Sequence, residues 1–528
     1  MFRVIAADGS TKEESTIHGT MDNGESTAIA ATGEGHLEVA IHSPRLPFGA
    51  IHTEKLTPVF QTDAVYGVNS GLVEATTNSS GTATASDSSF VTTTGTSVGG
   101  YGVIQSRKRL RYRPGQGVVG RFTASFTAGV ASSYQVAGFG HAGDGVYFGY
   151  NGTSYGLLYS SRGEREVRTL TITTASSTTE NITVQLNGTN NTIAVTNSAN
   201  IQRTVYEISQ GTYSGWKAYP VGATVVFVRS NAGTATGSYS ITATTAVGTF
   251  AQTKAGVAAT DTWVPQASWN GADTLNGSGP SGVTLDPTKM NVYQVGVQYL
   301  GAGAITFQIE AASSNSNNAE WATVHTIKLP NTLTATSFGN PSFPFTMAAY
   351  SLGSTTDLTV KSGSFAGFIE GGKMLHGNRF CYFNSITTVG AANLQALFTI
   401  QNARYYGGRT NQSVVNLQSV GGALKHTSPC TLYVIKNATL AGNPNFASFA
   451  TNSCTTYDTT ATTCTYTTND QVIWVGQLGD TGDIDHHFSN GGLEEVTLQP
   501  GESITLAARA STGTPSYVNG SIVTREDQ

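Results

Sequence analysis

The sequence predicts a mainly β protein built of tandem β-sandwich or jelly-roll domains, with a small inserted ββαβ-like unit. Three observations predict it. Charged residues are 12% of the chain, where ordinary globular domains carry about 25%, and Thr, Ser, Asn and Gly stand in their place. Strands with a Thr/Ser outer face and Gly/Asn turns give this composition; long charged helices do not. Apolar and polar residues alternate over short runs, the period of a half-buried strand, and Gly, Pro and Asn-Gly signals separate those runs. The 22 Tyr and 22 Phe are too much apolar surface for a solvated coil.

The length of 528 residues suggests three or four domains at about 150 residues each. Residues 1–100 read as an N-terminal arm with strands, 101–372 as a central jelly-roll-like β-sandwich, and 373–528 as a C-terminal β-sandwich. In the first, His36 to Ile41 alternates as a strand, and the proline-bearing stretch 44–68 reads as an extended arm that docks on something else. The Ser/Thr/Gly-rich stretch 70–100 reads as a loop or an irregular strand pair. In the second, Phe122, Ala124 and Phe126 alternate with Arg121, Thr123 and Ser125, and residues 143–159 read as strand, Asn151-Gly152 turn, strand. The pattern resumes at 290–330, where Ile305, Phe307 and Ile309 alternate, so 101–165 and 285–372 together supply one sandwich. Between them, 166–255 reads as the inserted α+β unit. Its strands flank an Asn187-Gly188 turn, and Ile201, Val205 and Ile208 form a helical stripe. After residue 373, short strands recur at even spacing, among them 394–400, 431–437 and 502–509.

Charge and cysteine usage exclude several function classes. A net charge of −5 gives no general drive toward nucleic acid or an anionic membrane. No run of 18 apolar residues occurs, so membrane insertion is not expected. The opening MFRVIAADGSTKEEST has no apolar signal core, so secretory export is not expected. Four cysteines are too few for a disulfide framework. Cys454 and Cys464 could pair across a hairpin, although a reduced, cytoplasm-assembled chain is the plainer reading.

Several segments carry a resemblance: 35–61, 106–131 (SRKRLRYRPGQGVVGRFTASFTAGVA), 144–158, 282–310 and the C-terminal LEEVTLQPGESITLAARASTG with TREDQ. They resemble a family of structural proteins of tailed-phage virions, fibre- or spike-like and abundant in marine and freshwater phages. The resemblance covers most of the chain, with gaps at 70–100 and 311–375. It implies a virion component and brings no agreed catalytic site. The ending VTREDQ departs from the tryptophan-containing end of such proteins, which puts the packing of the last strand in question. The strand layout of 101–372 also looks like a concanavalin or laminin-G type jelly roll, a likeness of fold alone.

Each candidate site has a plainer reading beside it. Gly115-Gln-Gly117-Val-Val-Gly120 and Gly138-Phe-Gly140-His-Ala-Gly143 match GxGxxG, but both lead into β segments rather than a helix, so the glycines serve turns and bulges. The run Arg107, Arg109, Arg111, Arg113 with Lys108 alternates with Leu110 and Tyr112. It reads first as an arginine ladder on a strand, pairing with Glu164 and Glu166 or with a subunit interface. Contact with an anionic glycan or phosphate comes second, and nucleic acid last. Tyr150 and Tyr155 on the expected hairpin are candidates for sugar stacking, with sandwich core as the alternative. Asp144, Glu164 and Glu166 show no spacing that singles them out for glycoside cleavage. Asp483, Asp485, His486 and His487 are the densest possible ligand set, yet adjacent histidines on a strand point to opposite faces. No metal, cofactor or catalytic residue is therefore expected.

The expectation is a non-enzymatic virion subunit, assembled in the host cytoplasm and closing its sheet edges by oligomerising, as a homotrimer. Its N-terminal region would contact other virion proteins. A host surface glycan is a further partner, which makes a carbohydrate-binding adhesin the alternative and a polysaccharide depolymerase the third reading.

Overall fold

The computed structural model describes Phe2–Ile5, Thr11–Glu14, His18–Thr20, Ser26–Ala28 and residues 56–528, except 313–318, 373–376, 387–390, 426–427, 480–481, 489–495, 513–516 and 528. The chain forms two units, Met1–Glu54 and Lys55–Gln528. In the first, Phe2–Ile5 pairs antiparallel with Thr11–Glu14, and His18–Thr20 with Ser26–Ala28. The strand expected at 36–41 and the arm from 44 to 55 lie outside the described residues.

The second unit is mainly β, arranged in antiparallel sheets of the sandwich type. Two sheets enclose the largest core. One runs Ala319–Ile327, Ile305–Ala312, Asn291–Val297, Val118–Phe126, Thr359–Ser362, Ser89–Thr93, Thr82–Ser86; Ser364–Glu370 also pairs with Val118–Phe126 and carries Leu56–Asp63. The other runs Thr260–Pro265, Ser154–Ser161, Asp144–Asn151, Ser133–His141, Phe345–Ser351, Tyr101–Ser106, Val73–Asn78. Period two explains the packing: Phe122, Ala124 and Phe126 are buried, while Arg121, Thr123 and Ser125 between them are only half-buried. The sheets meet in an aromatic seam. Phe345 stacks on Phe365 at 4.1 Å, and Phe148 lies 4.7 Å from Tyr293 and 5.5 Å from Phe307. Such pairs add about 0.5–1.5 kcal/mol each beyond their burial.

Two expectations change here. Residues 56–63, at the end of the expected arm, form a strand docked on Ser364–Glu370 of the same chain. Of the two readings of 70–100, the strand pair holds and the loop does not: Thr82–Ser86 pairs with Ser89–Thr93 in regular register, and with Val73–Asn78 these strands belong to the two central sheets, so no boundary falls at residue 100. Thr side chains on these strands, such as the Thr82–Thr93 pair with hydroxyls 2.9 Å apart, bond across the ladder where a pattern of larger apolar residues would have marked a strand.

The segment between Ser154–Ser161 and Thr260–Pro265 leaves the second sheet and returns to it, since those two strands pair with each other. It holds a four-stranded sheet (Trp216–Val221, Thr224–Ala232, Arg165–Thr174, Val247–Lys254), a three-stranded sheet (Thr189–Val195, Glu180–Leu186, Ser240–Thr242) and the helix Ile201–Ser209. That is three strands, a helix and four strands, larger than a ββαβ unit. Asn200 caps the helix by accepting from Gln202 N at 2.9 Å, and Val205 and Ile208 are buried against Leu170, Ile182 and Phe227. Asn187 (φ 43°) and Gly188 (φ 83°) form the hairpin turn that their sequence predicts. The other turn shifts by one: Asn151 pairs with Ser154, so the loop is Gly152-Thr153, with Gly152 at φ 59°.

A second sandwich closes the chain. Asn378–Ile386, Val518–Asp527, Val414–Leu424 and Asp483–His487 form one sheet. Its partner is built on Ala461–Thr465, Leu394–Asn402, Ser503–Ala510, Cys430–Lys436 and Val472–Leu478. Leu397, Leu432, Leu506, Val518 and Ile522 lie between them. The last strand sits inside its sheet with alternate residues buried, so the ending without tryptophan is held by Val518 and Ile522.

In the two GxGxxG matches Gly115 (φ 87°) and Gly143 (φ 117°) serve turns, as expected, while Gly120 and Gly140 serve close packing. A Cβ on Gly120 would lie 2.0 Å from the Phe139 ring, and one on Gly140 would lie 2.3 Å from the Tyr147 hydroxyl. Gly120→Ala is expected to cost about 2 kcal/mol by overpacking, measured by urea unfolding of the full chain. Adding Phe139→Leu should recover some of that loss; no recovery would refute the contact.

Candidate functional site

The arginine run follows the strand Tyr101–Ser106. Only Leu110–Arg111 of it is strand, paired with Ser342–Phe343, and Leu110 is buried in the central core. Two paired residues cannot hold an arginine ladder, so that expectation is corrected: the arginines reach separate partners. Arg107 Nε donates to the Ser70 carbonyl at 2.5 Å, and its Nη1 lies 3.6 Å from Glu502 Oε1. Arg111 Nε is 3.1 Å from Asp527 Oδ1, and Arg113 Nη2 is 2.9 Å from Oδ2 of the same carboxylate. Arg109 is enclosed with Nε and Nη1 buried and without an acceptor. Glu164 and Glu166 do not meet the run. Glu164 pairs with Lys254 at 2.6 Å, and the fully buried Glu166 accepts from Arg168 Nε at 2.6 Å and Ala235 N at 2.7 Å.

The run is thus an interface inside the chain, between the central sandwich and the C-terminal one that carries Glu502 and Asp527. Arg409 Nη1 adds a bond to the Gly339 carbonyl at 2.9 Å. The inserted unit joins the same junction. Lys217 Nζ is 3.0 Å from Glu74 Oε1, Leu440 N donates to the Tyr206 hydroxyl at 2.8 Å, and Gly222 N donates to the Phe446 carbonyl at 2.6 Å. Burial draws the Arg109 and Arg165 guanidinium groups down to about 10, a shift that neighbouring arginines deepen and Glu74 opposes. Both remain cationic at neutral pH. A cleft of about 340 Å³ opens where the insert meets the C-terminal sandwich, lined among others by Trp216, Lys217, Gln401, Arg404 and Gly501.

Asp144 accepts backbone N–H bonds from Arg162, Gly339 and Asn340 at 2.7–2.9 Å. Burial raises its pKa and those bonds moderate the rise. Glu526, also buried, accepts from Cys454 N at 2.7 Å and Ser453 Oγ at 2.5 Å. These carboxylates tie loops to strands, which satisfies backbone donors that no ladder reaches.

Tyr150 and Tyr155 are buried in the central core against Phe126, and the Tyr155 hydroxyl donates to that of Tyr293 at 3.0 Å. That corrects their reading as sugar-stacking residues: they share an inward face with Phe148. The opposite face of the same sheet holds what the sequence reading missed. Tyr101, Tyr350, Tyr134 and Trp263 form a partly exposed row with successive centroids 5.5, 6.3 and 6.4 Å apart, next to Tyr147. The signal was present in the alternation of Tyr147 with Phe148, but the row draws on four strands.

His486 stacks on Trp474 at 5.6 Å, while the exposed His487 lies 3.4 Å from Asp485. Among the described residues no group of three His, Cys, Asp or Glu is placed to hold a metal ion. All four cysteines are free thiols. Cys464 sits opposite Leu394 and Leu440, away from any hairpin with Cys454, and burial pushes its thiol up to about 12. No helix among the described residues is long and apolar enough to cross a membrane.

No family model matches the chain, and no curated protein matches it. Among solved structures it is similar to the Faustovirus major capsid protein at 8% identity, over 90% of this chain and 92% of that one, with a TM-score of 0.13.

Asp527→Asn should destabilise the chain by about 3 kcal/mol, the range for breaking a largely buried ion pair. The exposed Asp485→Asn should stay within about 0.5 kcal/mol. Chemical denaturation of both variants checks this, and equal losses would show that Asp527 does not join the sandwiches.

Proposed function

We propose that this chain is a structural subunit of a tailed-phage virion, a fibre, spike or surface protein that assembles as a homotrimer and works by contact rather than catalysis. The observation that carries the assembly reading is a sheet edge on which, among the described residues, no further strand pairs. Asn378–Ile386 is nine residues long and lies at the end of its sheet, with Phe383 75% exposed. A long edge strand bearing an exposed aromatic invites pairing with another chain unless a proper partner covers it. The sequence segments resembling phage virion proteins support the setting, with assembly in the host cytoplasm. The N-terminal region, short of the strand Leu56–Asp63 that docks on its own chain, is assigned to the virion-proximal end and to contact with other virion proteins. The C-terminal sandwich is assigned to the distal end. The non-enzymatic reading draws support from Asp144, Glu164 and Glu166, whose oxygens are engaged in structural bonds rather than facing one another across a gap.

Light scattering on the purified chain should give about three times the 55.1 kDa subunit mass, and Phe383→Asp should shift it toward the monomer. A monomer at micromolar concentration would sink the assembly reading, and turnover of a host polysaccharide would sink the non-enzymatic one.

The aromatic row favours a second reading, a carbohydrate-binding adhesin for a host surface glycan. Tyr and Trp rings offer sugars an apolar face with a polar tip, and four of them on one sheet face suit a linear glycan. Titration with neutral host oligosaccharides should show binding that Trp263→Ala and Tyr350→Ala each weaken at least tenfold, about 1.4 kcal/mol. Binding that survives both substitutions would remove the row from the reading.

A further inference from the structure

Arg109, Arg165 and Arg404 come from the arginine run, the first strand of the insert and the loop after Leu394–Asn402, so each belongs to a different core. They lie within charge–charge range of one another. The Nε of all three, and Nη1 of Arg109, are buried without a hydrogen-bond acceptor. Burying such donors unpaired costs about 1–3 kcal/mol each, and more where the group is charged.

The charges nearby do not balance them. Arg107, Lys217 and Lys436 add three cations, and among the described residues Glu74 and Glu502 are the carboxylates that offset Arg404. Glu74 is engaged by Lys217 at 3.0 Å, and Glu502 by Lys436 at 2.8 Å and by Gln499 N at 2.8 Å. His141, also in range of Arg109 and Arg165, is held neutral: burial and the two arginines depress its pKa to about 4. Among the described residues, six cations therefore face two carboxylates there, in a chain whose net charge is −5. Space is also kept for the outermost guanidinium. Gly501 has φ +91°, and a Cβ there would lie 2.1 Å from Arg404 Cζ. Arg404, with Lys217, lines the cleft of about 340 Å³ and so connects the cluster to solvent.

We propose that Arg109, Arg165 and Arg404 bind a small tetrahedral oxyanion of the phosphate class, which enters by the Arg404 side and locks the three cores together. The planar guanidinium fork suits such an anion, because two parallel N–H bonds meet two of its oxygens. The anion would supply acceptors to donors that the protein leaves unmet and offset the local excess of positive charge. The source is either inorganic phosphate or the phosphomonoester of a larger molecule.

The test is thermal unfolding of the full chain, dialysed free of phosphate and sulfate, at ionic strength matched with chloride. Inorganic phosphate should raise the midpoint by about 3 °C or more. Arg165→Gln and Arg404→Gln should abolish the rise, while Arg162→Gln, at an exposed position, should keep it. Glycerol phosphate giving the same rise would point to a phosphomonoester source, and its failure beside a response to inorganic phosphate would point to the free ion. If the arginine variants do not fold, anomalous diffraction from the wild-type chain in selenate should show a peak between the three guanidinium groups. No rise over chloride in the wild type, a rise retained by both variants, or no such peak would overturn the proposal.

Discussion

Asp527 gives one carboxylate oxygen to Arg111 and the other to Arg113, across 414 residues of chain in the second case. The joint sits where two sandwiches with separate cores touch, and both partners are largely shielded from water. Taking those charges out of water is costly, and their attraction repays it only with close geometry and further hydrogen bonds. The junction therefore holds its partners to narrow positions. The strand Val518–Asp527, the loop at Glu502 and the inserted unit at Lys217 must all arrive together.

The same logic runs through the rest of the chain on a smaller scale. A protein with few charges places several of them inside. Asp144, Glu166 and Glu526 are buried and accept backbone N–H groups. Large antiparallel sheets need irregular connections, and irregular connections leave donors that no ladder satisfies. A carboxylate that takes two or three of them does the work of a short strand. The Phe and Tyr seam between the central sheets supplies the non-directional share of the stability, and the buried acids supply the directional share.

Much of the fold was legible. Phe122, Ala124 and Phe126 showed their face by alternation, Ile201, Val205 and Ile208 showed a helix by their spacing, and Asn187-Gly188 showed a turn by its chemistry. Each is local: the signal lies within one turn or one strand. The strands of 73–93 were hidden because Thr and Ala stand where larger apolar residues would mark a face, and Thr hydroxyls bond across the ladder instead. The candidate site was only half legible. The density of arginine at 107–113 marked the place, but Glu74, Arg165, Arg404 and Asp527 are isolated residues in unrelated segments. For Tyr150 and Tyr155 the sequence leaves sugar stacking and sandwich core both open, and the core holds: alternation says that Tyr147 and Phe148 point apart and does not say which of them is covered.

The sequence alone determined the class of the chain, the faces of its clearest strands and the position of its helix, because a period of two or 3.6 is a property of the local backbone. Tertiary structure decided which face a second sheet covers, which edge stays open and which carboxylate meets each arginine. Those depend on strands brought together from hundreds of residues away, and the order in which strands pair leaves no periodic mark on the residues themselves.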